Sequence, residues 1–207
     1  MTDARITPRD MLLDAALDLA AEDGWSAVTI AAAAKRAGLE PAQARRIARG
    51  RAELLVRLGE RVDAAMLEAL DEDAHDSDIS VRDRLFDVLM TRLDVLAEHR
   101  DGVRAILHGL RRDPLVALGA APALGRSMAQ VFGAIGQSTK PPFGPLKIKG
   151  LTVVWLATLR VWLNDDSEDM AATMKALDQN LLRAEELANS LLPSTRHRVQ
   201  PADVSSD

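Results

Sequence analysis

The chain has 207 residues with no cysteine and no tyrosine, and its 31 acidic against 26 basic side chains give a formal charge of −5. That length allows one medium domain, or a small head on a larger body, with a core that needs no covalent staple. Without cysteine, disulfides, thiolate metal sites and cysteine nucleophiles are excluded and a reducing cytoplasm is the expected compartment, while the acidic balance excludes a protein that coats nucleic acid regardless of sequence.

No apolar run reaches the roughly 18 to 20 residues that span a bilayer, and "MTDARITPRD" lacks the apolar core of a signal peptide. A cytoplasmic protein with no stable membrane insertion is therefore expected. Alanine and leucine dominate and only 3% of residues are aromatic, which favours helix over strand throughout. The expectation is an all-α chain of about nine helices.

The first helix is predicted over residues 8 to 22, with Thr7 as N-cap, Pro8 at its first position, Asp10 in its first turn and Gly24 at its end. Thr29 caps a second helix, "IAAAAKRAG", closed by Gly38. Pro41 starts a third, "PAQARRIA", stopped by Gly50, with Ala44, Ile47 and Ala48 turned inward. Two short helices joined by about three residues fit a helix-turn-helix. A longer helix over 51 to 71 follows, then an acidic loop, "DEDAHDSDIS", whose Ser80 and Asp83 form a capping box for a helix over 80 to 97. Pro114, Pro122 and "TKPPFGP" punctuate the next helices. The last two are predicted over 146 to 164 and over 167 to 192, the latter capped by Ser167. This organisation divides the chain into a three-helix head, 1–50, a helical bundle, 51–192, and a disordered polar tail, 193–207.

Charge is concentrated in the head. Between Lys35 and Arg51 six basic residues, Lys35, Arg36, Arg45, Arg46, Arg49 and Arg51, stand against one acid, Glu40. Arginine forks can hold phosphates or guanine edges, and Gln43, near the start of the third helix, can also read a base, so these seven are the candidate contacts to double-stranded DNA.

Catalytic signals are absent: the sequence has no phosphate loop of the Gly-x-x-x-x-Gly-Lys kind, no His-Glu-x-x-His pair and no Gly-x-Ser-x-Gly elbow. His75, His99, His108 and His197 have no metal-ligand spacing, and "NDDSED" reads as a loop and helix start rather than a cation site. Neither metal, cofactor nor enzymatic activity is expected. In the body, Phe86, Met90, Leu93, Leu107, Met128, Phe132, Trp155, Leu159 and Met174 are candidates for an apolar cavity taking a small ligand or lipid. Trp155, Trp162, Leu151 and Thr158 share one face of the penultimate helix, and Met170, Met174, Leu177, Leu181, Ala184 and Ala188 one face of the last. Two such stripes suit a four-helix interface in a homodimer.

With its "DGW" bend, capping Thr29, "TIAAAAKRAG" helix and leucine-rich connector, the first sixty residues resemble the DNA-binding head of TetR-family transcriptional regulators. The resemblance implies a TetR-like fold, a helix-turn-helix head on a ligand-binding and dimerisation body, and a DNA-binding regulator, a repressor controlled by a small apolar ligand. The recognition helix departs from the family pattern: Glu40 stands in place of the capping serine, Pro41 and Ala42 follow, Ala44 and Arg45 replace a leucine-tyrosine pair, and Ala48 replaces a phenylalanine. "AGLEPAQAR", "RGRAELL" and "WLNDDSEDMAATMKALDQNL" are also similar to the lipid-binding accessory proteins of ubiquinone biosynthesis, which share this fold. That likeness implies the alternative, a lipid carrier with a vestigial helix-turn-helix.

Overall fold

The computed structural model describes residues 7–70, 76 and 78–191. Among them are nine α-helices and no strand. The expected tail, 193–207, most of the acidic loop at 71–77, and His75 and His197 lie outside the described residues.

Local chemistry sets the helix boundaries of the head. In α1 (Pro8–Asp23) the Thr7 hydroxyl accepts from the Asp10 amide at 3.2 Å while the Asp10 carboxylate accepts from the Thr7 amide at 3.2 Å, which satisfies amides the helix itself cannot. A single 3₁₀ turn, Trp25–Ala27, follows and buries Trp25. Thr29 caps α2 (Ile30–Arg36) through the Ala32 amide at 3.0 Å. Gly24 and Gly38, at φ +82° and +66°, take the left-handed turns that leave α1 and α2. Next comes α3 (Pro41–Ile47), seated by Ala44 and Ala48, both fully buried, with Ile47 half-buried.

The bundle begins with α4 (Arg51–Glu68), which packs on α7 (Pro114–Ala134) and on α5 (Val81–Ala97). Ser80 caps α5 as its sequence predicts, accepting from the Asp83 amide at 3.1 Å. Next in the chain, α6 (Arg100–Leu110) turns back under the head and lies against α1 and the Trp25 turn. Two glycines seven apart make this close approach possible. A Cβ on Gly102 would sit 2.6 Å from the Leu17 carbonyl oxygen, and one on Gly109 would sit 2.4 Å from the Trp25 side chain. The last two helices, α8 (Gly144–Trp162) and α9 (Ala171–Leu191), pack on each other, and one continuous apolar core runs from Leu12 in α1 to Leu181 in α9.

Four expectations need correction. Pro122 does not end a helix but lies inside α7. It and Leu118, whose carbonyl loses its amide partner, are both on the exposed side, where water can serve that carbonyl. Helix α9 starts at Ala171 rather than at Ser167. Asp165 gathers the amides and hydroxyls of Ser167 and Thr173 into a turn, with Met170 at φ +52°. The Trp155, Trp162, Leu151 and Thr158 face points into the protomer's own core, none more than 4% exposed, and Leu177 and Leu181 of the last helix are buried as well. An apolar stripe by itself does not distinguish a helix's own core from a partner's surface. Finally, α7 is long and apolar enough by length and composition to cross a bilayer, although it carries Arg126 and packs against α4 and α8.

Candidate nucleic-acid interface

The seven candidate residues of the head divide into two sets. Lys35, at the end of α2, Arg45 and Arg46, on α3, and Arg49, just beyond it, are exposed and hold no ion pair among the described residues. Gln43 is half-buried at the start of α3. Alanine at 44 and 48 lets α3 lie close on α1 and α2, so the arginine side necessarily faces away from the core.

Arg36 and Arg51 are already engaged. Arg36 grips both carboxylate oxygens of Glu22 and lies 3.9 Å from Asp18, tying α2 to α1. The hydrogen bonds of this pair raise the Arg36 pKa and lower that of Glu22. Arg51, the first residue of α4, is 2.6 Å from the Asp113 carboxylate, and its guanidinium lies 5.7 Å from the Trp25 ring centroid. It therefore joins the Trp25 turn, α4 and the cap of α7 rather than standing free.

Two side chains not flagged by sequence hold the C-terminal end of α3. Arg57 donates to the Ile47 carbonyl at 3.1 Å, and Glu53 accepts from the Arg49 amide at 2.8 Å. Both come from α4 and serve orphan groups at the helix end. Their spacing, i and i+4 on the connector, is the only local signal, and it marks a helix face rather than a role.

The nine candidate ligand residues differ in burial. Leu93, Met128, Phe132, Trp155 and Leu159 are buried, Phe86, Met90 and Leu107 are half-buried, and Met174 is exposed. Among them the core holds a polar cluster that sequence reasoning missed. Arg92, 2% exposed, bonds to Asp63 and donates to the Ser127 hydroxyl at 2.8 Å, Ser127 donates to Asp63 at 2.6 Å, and the guanidinium lies 5.1 Å from the Trp155 ring centroid. Burial lowers the Arg92 pKa, and the Asp63 carboxylate opposes that shift. A cavity of about 320 Å³ lies elsewhere, between α6 and α8, and of the nine only Leu107 lines it. His99 lies 3.3 Å from Asp14, His108 is exposed, and no group of three or more metal-ligating side chains occurs among the described residues.

A three-helix head on a helical bundle, in this order and packing, is the all-α fold of TetR-like regulators. The TetR transcriptional regulator of Nitrosomonas europaea ATCC 19718 superposes with a TM-score of 0.65 at 25% identity, over 86% of this chain and 98% of that one. A Rhodococcus sp. protein assigned to the TetR-family transcriptional regulators gives 0.55 at 19% identity, over 87% and 97%, and one from Mesorhizobium loti MAFF303099 gives 0.53 at 13%, over 90% and 98%. No family model and no curated protein sequence matches the chain.

Proposed function

We propose that the protein is a cytoplasmic, DNA-binding transcriptional regulator, not an enzyme, that acts as a homodimer, with residues 1–50 as the DNA-binding unit and 51–192 as the dimerisation and effector unit. The observation that carries this reading is the set Lys35, Arg45, Arg46 and Arg49, without an ion pair among the described residues, on the outer side of a helix-turn-helix in a chain of net charge −5. Such a set is a local electrostatic footprint for phosphates and guanine edges, and the regulator neighbours supply the same architecture. Arg36 and Arg51 have a different role in this scheme: they hold the head together and set it on the bundle.

For the homodimer, the supporting feature is the outer face of α8. Leu146, 47% exposed, and Val153, 68% exposed, lie in one stripe with Gly150 and Ala157. Small residues between large apolar ones let a second helix approach closely, and a twofold axis would place the two copies of the stripe together. Control by an effector would follow if ligand binding favoured one spacing of the two heads over another.

The test is a titration of duplex DNA from the region upstream of the protein's own gene, with wild type and with Arg45→Ala/Arg49→Ala. Saturable binding that weakens about tenfold or more in the double variant is expected. Undetectable binding at low salt, or equal binding by both proteins, contradicts the proposal.

A further inference from the structure

The cavity between α6 and α8 has a chemistry of its own. At about 320 Å³ it is large enough for a small ligand. Each wall contributes one stripe: Arg104 and His108 on α6 and Arg111 at its C-cap recur at i, i+4 and i+7, while Leu156 and Arg160 recur at i, i+4 on α8. No carboxylate lines it, although the chain as a whole is acidic. Arg104 is fixed in place, donating twice to the Leu163 carbonyl at 3.2 and 2.5 Å and once to Asp101 at 2.7 Å. His108, Arg111 and Arg160 are exposed, with side chains that hold no ion pair among the described residues. Leu107, Leu156 and Leu163 supply the apolar part of the lining.

We infer that this cavity is a binding site for a small amphipathic anion, with a carboxylate or phosphate head between Arg111 and Arg160 and a short apolar body against the leucines. Guanidinium forks on two walls of one cleft can share an oxyanion through charge-assisted hydrogen bonds. The leucine surfaces then discriminate against bare inorganic anions.

The same helix connects the site to the head. Gly109, between His108 and Arg111, abuts Trp25, Gly102 abuts Leu17, and the Trp25 ring carries Arg51, which follows the recognition segment. An anion that draws Arg111 towards Arg160 shifts the last turn of α6 against the Trp25 turn. That effector role rests on the regulator reading above, whereas the binding site itself does not.

The experiment is calorimetric titration of the full chain with octanoate, octyl phosphate, 1-octanol and inorganic phosphate, repeated on Arg111→Gln/Arg160→Gln and on Arg160→Lys. Both octyl anions should bind at one site per protomer, and the tighter of the two identifies the preferred head group. Octanol and inorganic phosphate should bind about tenfold or more weakly, the double Gln variant should lose about tenfold or more for the anions with its circular dichroism unchanged, and Arg160→Lys, which keeps the charge but not the fork, should lose less than the double Gln variant. Equal binding of octanol, or an unchanged affinity in the double variant, overturns the site. In a second arm the tighter anion is added to the protein–DNA complex: a shift in DNA affinity in wild type but not in the double variant supports coupling, and no shift in wild type overturns it. Failure to bind DNA at all defeats the regulator reading and leaves the calorimetric result standing.

Discussion

Replacing Gly102 by alanine tests how the head is seated on the bundle. The added Cβ would lie 2.6 Å from the oxygen, 3.1 Å from the carbonyl carbon and 3.2 Å from the Cα of Leu17, all backbone atoms of α1 that no rotamer change can move. Restoring an ordinary contact of about 3.4 Å requires α1 and α6 to part by on the order of 0.8 Å, which loosens every side-chain contact along their seam. Overpacking of this kind costs about 1 to 3 kcal/mol. The gain in helix propensity from Gly to Ala offsets roughly 1 kcal/mol of that. The net change against wild type is a loss of up to about 2 kcal/mol, a fall in Tm of up to roughly 8 °C for a chain of this size, and the full cost of about 1 to 3 kcal/mol is read against a glycine-to-alanine change that meets no neighbour. Gly133→Ala is the control, since an added Cβ there meets nothing within 4 Å on the exposed side of α7, and it should leave Tm unchanged or raise it. Thermal unfolding followed by circular dichroism measures both. A Gly102→Ala protein as stable as the Gly133→Ala protein would refute the close α1–α6 packing from which these magnitudes derive.

Removing Asp63 leaves the buried Arg92 without its counter-charge, so Asp63→Ala should cost about 3 to 5 kcal/mol in urea unfolding, whereas Asp63→Leu/Arg92→Met should recover most of that loss. Asp165 titrates well below the usual carboxylate range because Ser167 first, and Thr173 next, donate hydrogen bonds to it, with desolvation opposing them. A depressed folded-state pKa contributes stability that is present above the unfolded value of about 4 and lost as pH falls below it. Unfolding measured between about pH 5 and 2 should therefore show less loss of stability on acidification in Asp165→Asn than in wild type, and parallel curves would contradict the assignment.

What the sequence made legible was local. Thr7 with Asp10 and Ser80 with Asp83 declare helix starts because cap and partner lie within a turn of each other, Thr29 and Gly38 mark the two ends of α2, and each is found where the sequence predicts. The inward set Ala44 and Ala48 was legible for the same reason, the period of the helix. Partner choice was not. Arg36 and Arg51 carry the same charge as Arg45 and Arg49, and only the fold brings Glu22 to one and Asp113 to the other. The Arg92, Asp63 and Ser127 cluster joins three helices, and a lone arginine in an amphipathic pattern reads as a solvated position until its neighbours are known. Pro122 was misread because the cost of its missing amide depends on solvent access at Leu118, which tertiary packing decides. The cavity of α6 and α8 was not legible because its arginines come from two helices far apart in sequence, and no spacing along the chain brings them together.

The central claim, that the unpaired cations of the head meet DNA phosphates and bases, is tested most directly by the salt dependence of duplex binding. A dimer offers Lys35, Arg45, Arg46 and Arg49 twice, so log K against log salt should fall with a slope no steeper than about −7, and Arg45→Ala should flatten it by about 2 per dimer. Arg36→Ala, whose side chain is held by Glu22, should flatten it far less. Equal slopes for wild type and for Arg45→Ala/Arg46→Ala/Arg49→Ala, or a larger effect from Arg36 than from Arg45, would contradict the account.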